Sequence, residues 1–239
     1  ITTDEYRVEL LSYIGAIKLS KAEIMSLMRT LVYAVTFRAP NNFAHARTME
    51  IIVDVLGQIT KQNWNTMEMV RAAALLYNIG MLTFNEKSFE KAYSPLELHN
   101  LLTGAVKKIN MIFEEAELID ITGMFNAMAG AEILSENHML MVKDIISGAN
   151  MIKLADVLAS LMDKKCQDYD SSCRNILAEL KEISKTEDLY IPMIELTEEY
   201  IEDIEARVKS SQVSIRKRYY NIMSEFERLR TFIIDNTDN

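Results

Sequence analysis

Turn-forming residues are scarce in this 239-residue chain, which has 7 glycines and 3 prolines. Sandwiches and barrels of short strands need frequent turns, so the scarcity argues against them. The abundant Leu, Ile, Met, Ala, Glu and Lys are strong helix formers, and they favour an all-α fold. Cysteine is scarcer still. Cys166 and Cys173 flank a span rich in Asp and Ser, without the repeated Cys or His spacing of a zinc site, and read as a reduced pair. Positive charge is also in deficit: the formal net charge of -9 excludes a general nucleic-acid-binding surface, which needs clustered Lys and Arg to displace counterions from phosphates. Arg216-Lys217-Arg218 is too short to alter this, and Lys107-Lys108 and Lys164-Lys165 read as solvated helix faces. No apolar run is read as reaching the roughly 18 residues of a membrane span, and the amino end has no basic-then-apolar signal pattern. We expect a cytoplasmic protein that makes no membrane contact through this segment. The chain begins at Ile1, which suggests an excised fragment.

What is present suits a large helical core, with 49% apolar side chains. Apolar residues recur at helical spacing from about Asp4 to Phe37 in two segments, the second starting where Ser20 and Glu23 form a capping box. Arg38-Ala39-Pro40-Asn41-Asn42 reads as a loop. Helical patterning resumes over Ala44 to Thr60 and Thr66 to Tyr77, with Asn63-Trp64-Asn65 between them. Ser94-Pro95-Leu96-Glu97 has the form of a helix start, and further helices are expected over about 96–116, 117–129, 139–163 and 171–184. The carboxyl-terminal stretch differs in kind. Ile194, Ile201, Val208, Ile215, Ile222 and Leu229 recur every seven residues, with Ile204, Tyr219, Phe226 and Ile233 on the alternate turns. This predicts one amphipathic helix from about Pro192 to Ile234, suited to self-association or to packing on its own domain, with Ser211 and Arg218 interrupting the seam.

Within this frame, the chain from roughly 24 to 203 resembles an HD-GYP domain, the helical, metal-dependent class that opens cyclic di-GMP. Arg38-Ala39-Pro40-Asn41-Asn42-Phe43-Ala44-His45-Ala46-Arg47 is similar to that family's Arg-Asp-Pro-Tyr-Thr-x-x-His-Ser-x-Arg segment, which puts His45 at the first metal-ligand position. Ala73-Ala74-Leu75-Leu76-Tyr77-Asn78-Ile79-Gly80-Met81 resembles Ala-x-Leu-Leu-His-Asp-Ile-Gly-Lys, with Tyr77 at the His, Asn78 at the Asp and Met81 at the Lys. The family's next His falls near Gly104 and its paired His residues near Ala127 and Met128, and the Gly-Tyr-Pro loop is absent. Ile152-Lys153-Leu154-Ala155-Asp156-Val157-Leu158-Ala159-Ser160-Leu161 is similar to Ile-x-x-Ala-Asp-x-Tyr-Asp-Ala-Leu and places Asp156 at the last ligand position. Tyr190-Ile191-Pro192 fits the family's Phe-Asp-Pro before the final helix. The resemblance therefore implies an HD-domain-like bundle over 24–203, preceded by a linker or helix over 1–23 and extended by a helix over 204–239.

Of the metal-site positions implied by this resemblance, His45 and Asp156 keep their residues, while Tyr77, Asn78, Gly104, Ala127 and Met128 are substituted and the lysine position holds Met81. Metal-assisted phosphodiester hydrolysis needs several ligands around one cavity to lower the pKa of a bridging water. The expected reading is a catalytically inactive signalling domain with no cofactor, acting through protein partners or through self-association by the terminal helix. Binding of cyclic di-GMP is not expected, because two phosphates call for a cation where Met81 stands. His45 is expected to be a half-buried imidazole hydrogen-bonded to Asp156, with Tyr77 filling space and its hydroxyl on a polar neighbour. Arg47 is expected either to pair with a core carboxylate or to be solvated. Two alternatives remain: a rearranged metal-dependent phosphodiesterase site drawing on His45, Asp156 and Asp120, Glu114 or His138, and a non-hydrolysing nucleotide receptor. His138 reads as solvent-exposed, and Met139, Met141 and Met151 as a possible apolar docking face within a Met-rich core.

Overall fold

A computed structural model of the chain describes Ser26, Thr30 and residues 40–77, 119–130, 132–133, 138–165, 173–186 and 189–237. Among these residues there are six helices and no strand, so the fold is all-α. They are α1 (Pro40–Ile59), α2 (Trp64–Tyr77), α3 (Ile119–Met128), α4 (Val142–Lys165), α5 (Cys173–Ile183) and α6 (Ile191–Thr237). Of the two expected amino-terminal helices only Ser26 and Thr30 of the second are described, both helical; the helix over 96–116, the starts at Ser20 and Ser94, and the positions Asn78, Met81, Gly104 and Glu114 lie outside the described residues.

Helix α1 begins at Pro40, inside the segment read as a loop. Proline's fixed φ is compatible with helical backbone. The other end closes on Lys61, which adopts a φ of 51°. The Lys61 N–H donates to the Gln58 carbonyl and the Gln62 N–H to the Gly57 carbonyl, which satisfies the last turn and reverses the chain. Helix α2 follows at once, capped by Asn63, whose Oδ1 accepts the Thr66 N–H at 2.9 Å.

α4 is the centre of the bundle. It packs against α1, α2, α3 and α5, and α1 in turn packs against α2 and α6. Its neighbours approach closely at Gly148, where a β-carbon would meet Val70 Cγ2 at 2.8 Å and Met124 Cε at 2.9 Å. The core combines Met49, Ile52 and Leu56 of α1, Leu75 and Leu76 of α2, Met124 of α3 and Met151, Ile152 and Leu158 of α4. Burial of Met151 removes it from the expected docking face, whereas Met139 and Met141 are exposed. Residues 142–163 are long and apolar enough to cross a membrane by length and composition, although 72% of the apolar window is buried inside the fold. This corrects the expectation that no run is so long; Lys153 and Asp156 interrupt the stretch and hide its apolar character in the sequence.

The terminal helix is continuous for 47 residues, with Pro192 in its first turn. Its seam of Met193, Ile194, Ile201, Ile204 and Val208 is buried. The buried seam runs on past residue 203 to Ile204 and Val208, because the apolar period continues for another turn. Farther along, Val213 is exposed.

Candidate functional site: an imidazole held between two carboxylates

Helix α1 carries His45 to the face of α4, where the ring lies between two acidic side chains one above the other. His45 Nε2 is 2.9 Å from Asp156 Oδ1, and His45 Nδ1 is 3.0 Å from Asp163 Oδ2. Asp156 and Asp163 are seven residues apart, two turns of one helix, so both point the same way. The second oxygen of Asp156 accepts the Tyr77 hydroxyl at 3.4 Å, and the Tyr77 ring packs against Phe125 at 6.3 Å between centroids. Three helices, α1, α2 and α4, thus meet at one buried carboxylate.

The protonation of His45 follows from this geometry. Both ring nitrogens face carboxylate oxygens, and both can donate only when the ring is the doubly protonated imidazolium. Burial by itself pushes the His45 pKa down. The hydrogen bonds to Asp156 and Asp163 and their negative charges together outweigh it and raise the value to about 10. The imidazole side chain is 13% exposed, so solvent screens the pair weakly.

Tyr77 offers a phenol already turned to Asp156, Ala127 has no donor atom and Met128 only a buried thioether. Among the described residues no three His, Cys, Asp or Glu side chains are disposed around one ion. The donor set therefore does not fit the dinuclear centre that the family resemblance implies. Arg47 reaches the buried carboxylate of Glu50 on its own helix.

A second acidic and basic pair lies at the start of α3. Asp120 Oδ1 accepts the Met139 N–H at 3.0 Å and the Leu140 N–H at 3.2 Å, and is 3.2 Å from His138 Nδ1. The expected exposure of His138 is overturned, because its side chain is 5% exposed. Gly123 makes the fit possible, since a β-carbon there would sit 2.6 Å from His138 Cε1. Asp120 and His138 belong to this clasp of the 138–140 connection.

Asp163 is a site residue that no motif position marks. Its signal in the sequence is the seven-residue spacing from Asp156 on a helix otherwise apolar on that face. No family model, curated protein or solved structure matches the chain.

Proposed function

We propose that this chain is a non-catalytic signalling domain of HD-GYP-like ancestry, cytoplasmic, that works as a protein-interaction, dimerisation or regulatory output module. The observation that carries the reading is the Asp156–His45–Asp163 arrangement. A cationic ring stands where the family resemblance puts a metal ligand, and it supplies positive charge to the buried Asp156 and the half-buried Asp163. In this reading the metal-dependent chemistry has been exchanged for a permanent cross-link between α1 and α4. Tyr77 supports it, since the phenol that replaces a ligand is directed to the same carboxylate. The heptad of apolar residues continuing through Ile215, Ile222 and Leu229 of the long α6 supports self-association through that helix.

Metal analysis of the purified chain, with incubation with cyclic di-GMP and detection of cleaved product, tests the proposal. The expected result is substoichiometric metal and no product, and stoichiometric iron or manganese with turnover would overturn it. Light scattering on the same sample tests the dimer: a monomeric mass at micromolar concentration rejects self-association through α6.

A further inference from the structure

We propose that the open groove between α1 and α6 is a binding site for a small phosphorylated molecule. The groove is open to solvent, with about 580 Å³ of space between its walls. It uses none of the residues of the His45 cluster.

The site arises where the apolar seam of α6 breaks. Ile201, Ile204 and Val208 are buried, but the next seam position is Ser211. There α6 turns a polar stripe to α1: Arg207, Ser210, Ser211 and Ser214, spaced at three, four and seven residues and so on one face of the helix. Arg47 faces it from α1. Two guanidinium groups on different helices and three hydroxyls thus line one groove. Oxyanions suit this lining, because a guanidinium fork matches two phosphate oxygens at once and a serine hydroxyl donates to a third.

Neither arginine is used up by its present partner. Arg207 Nε is 3.0 Å from Asp203 and Arg47 Nη1 contacts Glu50. Each guanidinium carries five N–H donors, so further donors remain on each. Both side chains are open to solvent, at 40% exposure for Arg47 and 46% for Arg207. The acidic residue in the lining, Asp54, is already paired with Arg71 Nε, which offsets the charge that would otherwise repel an anion. Ile51 gives the organic part of a phosphorylated molecule an apolar wall.

Titration of the isotope-labelled chain with inorganic pyrophosphate, followed by NMR, tests the site. Saturable shifts are expected at the Arg47 and Arg207 side-chain N–H groups and at the amides of Ser210, Ser211 and Ser214. The variant Arg207→Gln should weaken binding at least about tenfold, equivalent to about 1.4 kcal/mol. Arg207 is the preferred position because it sits on an exposed helix face, where the substitution leaves the core untouched. Arg47→Gln should act in the same direction, with unchanged circular dichroism as the check on folding. Unsaturable shifts of equal size at Lys181 and Lys185, which lie on or beside α5, would reveal diffuse counterion attraction and overturn the proposal. So would the absence of any shift, and so would equal affinity for a glutamate-rich peptide, which would assign the groove to acidic protein segments.

Discussion

The two histidine and aspartate clusters look alike in composition and differ in what they demand of the ring. His45 has a carboxylate on each nitrogen. His138 has one, and that carboxylate already accepts two backbone N–H groups. At His138, a single N–H on Nδ1 satisfies the contact. At His45, two ionised carboxylates need an N–H on each nitrogen. The number of acceptors around an imidazole sets how many N–H donors the ring must present. One cluster is an ion triad joining helices far apart in sequence, and the other is a loop clasp.

Removing each ring should have the largest effect. His45→Ala removes the cation from the buried Asp156 carboxylate and its link to Asp163, and should cost about 3 kcal/mol or more in denaturant unfolding. His138→Ala should cost about 1–2 kcal/mol, because Asp120 keeps its backbone donors. Equal losses would reject the distinction.

Alkaline titration separates the clusters next. The folded-state pKa of His45 is raised to about 10 from 6.5, so its stabilising contribution is fully present below about pH 6.5 and disappears as pH climbs toward 10. Unfolding free energy should fall across that window by at most about 1.4 kcal/mol per pH unit, and the slope should vanish in His45→Ala. A flat profile in the unsubstituted chain would mean that the ring is neutral.

Gly123→Ala acts mainly on the clasp, with a lighter contact on Ile145. The added methyl displaces His138 from its seat and should destabilise by about 1–3 kcal/mol, with the alkaline slope of His45 unchanged. The smallest effect belongs to Tyr77→Phe. It removes one long hydrogen bond to Asp156 while keeping the ring against Phe125, and thermal unfolding should report about 1 kcal/mol or less.

The helical class is legible in the sequence because scarce turn formers and apolar periodicity are local signals, present in every stretch of ten or so residues. The pairing of His45 with Asp156 is expected from motifs 111 residues apart, and the structure brings the two side chains together. Asp163 is harder to read: it shares a helix face with Asp156, but it lies outside every motif and only its spacing marks it. His138 departs from expectation for a different reason. Its partner Asp120 lies 18 residues upstream across a helix and a connection, and nothing periodic links them. Pro40 is ambiguous in sequence because the same residue both ends helices and begins them, and only tertiary context separates the two uses.

The apolar window of α4 carries a liability as well as a structure. A segment that could by length and composition span a bilayer is kept from water by α1, α2 and α3, so any opening that peels those helices away exposes a long greasy stretch at once. Partly unfolded molecules should then stick to one another faster than they refold. Heating should end in precipitate, and survival of the protein should be governed by how rarely α4 is uncovered.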